Sequence, residues 1–305
     1  MTWRGSGGKR PRWAGALAVL ASVLLVAGCG ADREEPAADH HSRTAAQDGA
    51  DRADGAGGAL PSGHVHAVAR NPVDGHVLLA THDGLFRLAP GSSPTRVGPV
   101  IDLMGFTVVG PDHFYASGHP GPGTDMPDPV GLIETTDGGR TWTALSRQGR
   151  SDFHTLTAST AGVIGYDGKE LAMSADGRTW QVLTPPVTPF AVAASPDGRT
   201  KLITSEQGLA RSTDRGRTWA RINTPALLQL VDFTDATAVV AAAPDGSILT
   251  SGDAGATWRR VGGIGGAPHA LGAQRTSAGS EILAVTQAGL LRSTDDGATF
   301  APYRP

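Results

Sequence analysis

Ten histidines occur in this chain of 305 residues, and several stand where an apolar segment begins. His64 and His66 are two apart in HVHAV, so an extended strand points both to one side. His82 lies in THDGL, His119 in SGHPGPGTDMPDPVG (117–131), His154 in SDFH, and His269 just before ALGAQ. Neutral imidazoles from such a set bind zinc or copper. Met104 in DLMGF and Met126 add thioethers, which favour copper. Asp102, Asp125, Asp128 and Asp152 fall in the same segments. As a facing pair they are candidates for the general acid and base of a glycosidase. Cys29 is the only cysteine, which excludes a disulfide scaffold and a Cys-based zinc site.

The elements that must position these residues form a repeat. One motif recurs five times: TTDGGRTW, SADGRTW, STDRGRTW, SGDAGATW and STDDGATF. Its aspartates are Asp137, Asp176, Asp214, Asp253 and Asp295, spaced by 39, 38, 39 and 42 residues. Its last position holds Trp142, Trp180, Trp219, Trp258 and Phe300. A carboxylate can accept backbone N–H groups inside a tight turn, glycine supplies a positive φ, and the aromatic ring buries surface against a neighbouring sheet. Each motif is therefore expected to be the hairpin between the last two strands of a four-stranded blade, and its aspartate to be structural. The second copy is one residue short, which predicts a tighter turn. Upstream, His64 to Leu88 reads as a degenerate copy with three strands and no motif. High glycine (42 residues), 18 % charged residues and many short apolar runs suit such a fold. The reading is all-β: a β-propeller of six blades over residues 63–305, with seven left open by an irregular count. Ring closure is expected to use chain from both ends, because an open ring exposes strand edges.

With strands A to D numbered outward, A–B and C–D loops share one face, and B–C loops and D-to-A connections share the other. The five motifs lie on the first face. His64, His66, His82, His119, His154 and His269 map to the second, whereas His76 and His113 map to the first. The long Gly/Pro-rich insertion at 117–131 lies on the histidine face, and long ordered loops commonly carry function.

The pattern Ser/Thr-x-Asp-x-Gly-x-Thr-Trp resembles the Asp-box of bacterial-neuraminidase-type (BNR) repeats. The segments HVHAV, THDGLF, MGFTV, SGHPGPGTDMPDPVGLIE and SDFH resemble a group of bacterial secreted propellers known as glycosylhydrolases, over most of residues 63–180. The resemblance implies an exo-α-sialidase-like architecture. Sialidases clamp a carboxylate with three arginines and use a tyrosine nucleophile with a glutamate partner. Here Arg140, Arg178, Arg215 and Arg217 sit in the motifs, on the opposite face, and only Tyr115, Tyr166 and Tyr303 are present. The clamp is not assembled by these positions. Asp-boxes also occur in non-enzymatic propellers, so the repeat alone does not imply hydrolysis.

The N-terminus reads as an address. Arg4, Lys9, Arg10 and Arg12 precede an apolar run from Ala14 to Ala27, the length of a signal-peptide core. The run ends in Leu25-Val26-Ala27-Gly28-Cys29, which resembles a bacterial lipobox. Residues 1–28 are expected to be a lipoprotein signal peptide and Cys29 the lipidated N-terminus of the mature chain. Residues 29–62, polar and charged with Leu60 as the only large apolar residue, are expected to be a linker. Removing the basic leader makes the chain more acidic than its overall −3, which excludes a nucleic-acid binder. The expectation is a protein of the extracytoplasmic membrane face that binds a ligand, with zinc or copper as candidate ions. The alternatives are a glycoside hydrolase acting on carbohydrate and a scaffold for a protein ligand.

Overall fold

Among the described residues, twenty-four strands form six four-stranded antiparallel sheets, each built from four consecutive strands. The structure, a computed structural model, describes residues 60, 61 and 64–304. The expected signal peptide, Cys29 and most of the linker lie outside the described residues. Blade 1 is β1 (Val65–Arg70), β2 (Val77–Thr81), β3 (Gly84–Leu88) and β4 (Thr95–Val97). Blade 2 is β5 (Ile101–Gly110), β6 (His113–Pro120), β7 (Leu132–Thr135) and β8 (Thr143–Ser146). Blade 3 is β9 (Thr155–Ser159), β10 (Gly162–Tyr166), β11 (Leu171–Ser174) and β12 (Gln181–Leu183). Blade 4 is β13 (Ala191–Ala194), β14 (Lys201–Thr204), β15 (Leu209–Ser212) and β16 (Ala220–Ile222). Blade 5 is β17 (Leu230–Phe233), β18 (Val239–Ala242), β19 (Ser247–Ser251) and β20 (Arg259–Gly263). Blade 6 is β21 (Ala270–Thr276), β22 (Gly279–Thr286), β23 (Gly289–Ser293) and β24 (Ala301–Pro302).

The molecule is a six-bladed β-propeller. Two sequence expectations change. The first unit has a fourth strand, β4, although its third turn carries no aspartate motif. Closure involves no exchanged strand, because blade 1 is wholly N-terminal and blade 6 wholly C-terminal. Side chains close the ring instead. Val65, Val68, Val77, Leu79 and Leu88 of blade 1 pack with Ala270, Leu283, Val285 and Leu290 of blade 6, and Leu60 and Tyr303 cover the cluster. Arg70 donates to both carboxylate oxygens of Glu281, which is 2 % exposed and also meets Arg292 and Gln274.

Five further cores fill the other blade boundaries, and each takes one aromatic from the repeated turns. Trp142 packs between blades 1 and 2, Trp180 between 2 and 3, and Trp219 between 3 and 4. Trp258 and Phe300 do the same at the next two boundaries. The turns are built as the sequence implies. Asp214 accepts Thr218 N at 2.9 Å and the Thr218 hydroxyl at 2.7 Å, while Ser212 donates to it at 2.8 Å. Asp137, Asp253 and Asp295 repeat this pattern. In the short second copy Asp176 reaches Thr179 N, one residue nearer, at 2.7 Å. Two consecutive residues have positive φ in each full-length copy, as at Arg215 (66°) and Gly216 (87°). Glycine always occupies the second; the first is Gly138 in one copy, while Arg215, Ala254 and Asp296 occupy it in the others against their steric preference.

These hydrogen bonds hold the five aspartates at a pKa of about 2, the contact from the turn threonine (Thr141, Thr179, Thr218, Thr257 or Thr299) leading in each. Unfolded aspartate titrates near ~4. Their contribution is therefore complete above about pH 4 and lost as the pH falls toward 2. Urea midpoints measured between pH 5 and 2 should fall steeply, and Asp214→Asn should lower the midpoint at pH 7 while flattening that fall. An unchanged acid limb in this variant would contradict the assignment. At the seam, Glu281→Gln leaves Arg70 without its charge partner, at a cost on the order of 3 kcal/mol in urea unfolding; a loss under about 0.5 kcal/mol would show that apolar packing alone closes the ring.

Candidate functional site

The innermost strands β1, β5, β9, β13, β17 and β21 surround a central channel of about 1110 Å³. Its mouth on the face away from the aspartate turns collects the histidines. His64 directly precedes β1, and His66 is its second residue. The β1–β2 register shifts between Val65 and Ala67, so His66 sits at a bulge, a device that re-aims a side chain. His82 follows β2 in a turn tied by Thr81, whose buried hydroxyl donates to Gly84 O at 2.9 Å and accepts from Asp83 N at 3.0 Å. Ring centroids lie 4.9 Å apart for His64–His66, 4.4 Å for His66–His82 and 6.0 Å for His64–His82. Each of the three offers one nitrogen, all within 4.8 Å of one another. His66 Nε2 is 3.3 Å from His82 Nε2. Two nitrogens on one tetrahedral zinc, each ~2.0–2.1 Å from the metal, stand ~3.3 Å apart.

At His64 and His66 the electrostatics disfavour protonation. Burial, then the neighbouring imidazoles His82 and His64, push the His66 pKa down to about 4. Burial and then His269 lower His64, on which the His269 ring stacks at 5.1 Å. Asp102 on β5 accepts from His82 Nδ1 at 2.8 Å. A carboxylate on one imidazole nitrogen orients the ring and leaves the other for a metal.

A second group lies between blades 2 and 3. His119 is at the end of β6, paired in register with Asp102, rather than in the insertion where the sequence reading places it. The close strand approach depends on Gly118, with φ of 147°, because a Cβ there would lie 1.8 Å from Asp102 O. His119 meets Asp128 Oδ1 at 2.6 Å through Nδ1 and Asp152 Oδ2 at 3.1 Å through Nε2. His154 Nε2 lies 2.7 Å from the same Asp152 oxygen. The hydrogen bond to Asp128 raises the His119 pKa, against some burial. Val130 N to Gly118 O (2.9 Å) and Gly149 N to Pro129 O (2.8 Å) pin the insertion beside the group.

The six face histidines therefore divide in two: His64, His66 and His82, with His269 stacked behind, and His119 with His154 about Asp152. Of the other predicted residues, Met104 lines the channel at a second bulge, between Leu103 and Gly105. Met126 packs on the blade 1–blade 2 core, so it serves as core filler and the sequence expectation of a ligand is corrected. Asp125 is exposed and forms no side-chain hydrogen bond among the described residues. His76 and His113 engage Asp74 and Glu134 on the opposite face, as expected. Among the described residues Arg70 is the only arginine lining the channel, and Glu281 holds it, so no three-arginine clamp faces the channel. Sequence reasoning missed Asp232, a channel-lining carboxyl that burial pushes up to about 7. Its oxygens accept Phe233 N and Ala273 N, both at 2.8 Å, and bracket blade 5 to blade 6. It also missed Asp102 as partner of His82 and His269 as neighbour of His64. Blade topology, which puts the turn after β2 and the start of β5 on one face of adjacent blades, was the signal for the first.

No protein-family model matches the chain, and no curated protein matches it by sequence. Solved structures do match in fold. A GH74 enzyme of Niastella koreensis is 17 % identical with a TM-score of 0.56, covering 79 % of this chain and 37 % of its own, so this chain spans well under half of that enzyme. YCF48 bound to a D1 peptide is 19 % identical with a TM-score of 0.51, covering 79 % of this chain and 82 % of its own. XC5397 of Xanthomonas campestris, a gluconolactonase, is 12 % identical with a TM-score of 0.60, covering 75 % of this chain and 85 % of its own. At these identities the likeness establishes the β-propeller fold, which proteins of quite different activity share.

Proposed function

We propose that this protein is a membrane-anchored, extracytoplasmic propeller that binds a transition-metal ion, zinc or copper, through His64, His66 and His82. The observation that carries the reading is the convergence of three imidazole nitrogens within 4.8 Å at the channel mouth. The His82–Asp102 contact supports it by supplying the outer carboxylate that metal-bound imidazoles commonly have. An open channel beneath the ion leaves room for a ligand to complete the coordination. The five aspartate turns are read as Asp-boxes, with a structural role, on the strength of their repeated hydrogen bonds. A glycosidase would need two free carboxyl groups across a sugar. Asp102, Asp128 and Asp152 each engage an imidazole instead, which favours binding over that alternative.

Metal analysis of the purified protein should find stoichiometric zinc or copper after incubation with each ion. His64→Ala/His82→Ala should lower the affinity at least 100-fold while the circular dichroism of the propeller persists. No bound metal in the unaltered protein would overturn the reading and turn the search to the carboxylates with a panel of glycosides. The anchor has its own test. The protein should partition with membranes and incorporate labelled fatty acid, and Cys29→Ser should abolish both; an unlabelled membrane-bound chain would sink the lipidation of Cys29.

A further inference from the structure

We propose that the central channel holds a second binding site, in which Asp232 of β17 takes the protonated amine of an organic ligand. The inference goes beyond the metal reading above and uses none of its residues. Asp232 is partly exposed, and the space it borders is the channel of about 1110 Å³. Apart from the imidazoles of the mouth, the other two charged side chains of the wall are Arg70 and Glu281, and they satisfy each other. No lysine, arginine or histidine meets Asp232 among the described residues. Each of its oxygens accepts one backbone N–H and keeps a lone pair for a further donor.

The structural task of Asp232 does not need a carboxyl. Its Oδ2 brackets blade 5 to blade 6 by accepting Ala273 N at 2.8 Å. Ala273 is the fourth residue after His269, whose N donates to Val285 O. Ala158 is the fourth residue after His154, whose N makes the equivalent bond to Tyr166 O. There a neutral hydroxyl, Thr107 Oγ1, accepts Ala158 N at 3.1 Å. Threonine therefore makes the same bracket between inner strands without a charge. The carboxyl also carries a cost. Burial disfavours its ionised form and pushes the pKa up to about 7, although two backbone donors favour that form. A cation supplied by a ligand removes this cost, and the chain itself supplies none. A protonated amine suits the place better than a metal ion, because zinc and calcium gather several donors and Asp232 is a lone charged one. Much of the remaining wall is apolar, including Val108, Leu156 and Leu230. Such a wall takes the carbon skeleton of the ligand and, by excluding water, strengthens the ion pair.

Calorimetry of the full chain with benzylamine and butylamine, each beside its neutral alcohol, tests the site at pH 8 with a chelator present. Each amine should bind one to one, and its alcohol at least tenfold more weakly. Asp232→Thr, which keeps the bracket in the form Thr107 gives it, should weaken the amine at least tenfold while the circular dichroism and urea midpoint persist. Asp232→Asn should show the same loss with a side chain of unchanged size. His64→Ala/His82→Ala should bind the amine as the unaltered protein does. No amine bound by the unaltered protein, an alcohol bound as well as its amine, or full amine affinity in the folded Asp232 variants would each overturn the site. With metal withheld throughout, none of these results touches the reading at His64, His66 and His82, and a failure of that reading leaves this site standing.

Discussion

A four-stranded sheet with apolar residues on both faces cannot remain alone in water, and that constraint organises this molecule. Each blade buries its faces against two neighbours, so burial at one boundary creates the need for the next until the ring is complete. Six separate apolar clusters occupy the six boundaries. At five of them an aromatic from a repeated turn fills the gap, and at the sixth Leu60 and Tyr303 take that place. The aspartates of those turns serve this packing indirectly, since their hydrogen bonds fix where the aromatic leaves the hairpin.

The ring in turn determines what the mouth can present. Inner strands converge there, and the residues at their starts face one another across the channel without needing loops of their own. His64, His66 and His154 occupy such positions, and His82 and His119 are brought in by the neighbouring second strands. Two bulges on adjacent inner strands, at His66 and Met104, break the regular alternation at this rim. Side chains placed on packed strands rather than on long loops are held at fixed separations.

Periodicity made the fold legible, since a motif recurring near every 39 residues marks one blade per repeat and the face on which the turns lie, although it left six or seven blades open. The same topology assigned His64, His66, His82, His119 and His154 to one mouth. Side-by-side placement was another matter. That His82 joins His64 and His66 while His154 joins Asp152 depends on bulges and on strand register, which single-residue irregularities such as Gly118 control. The closing seam was misjudged for a related reason. Exposed edges suggested closure by chain from both ends; the first and last blades do meet, but through side chains rather than a shared sheet, since three-residue β4 and two-residue β24 leave little edge to protect.

That seam also divides the molecule in time. Every sheet consists of consecutive strands, so each blade can form from local hairpins as its stretch of chain emerges. The contact between Arg70 and Glu281 joins residues 211 positions apart, and closing a loop of that length costs roughly 5 kcal/mol of chain entropy. Blade 1 therefore waits, one apolar face uncovered, until blade 6 exists. The imidazoles of blade 1 can gather during that wait, but His64 gains the stacked His269 only when the last blade arrives. The mouth is thus finished by the same event that finishes the ring, and a chain stalled short of its final blade would have neither.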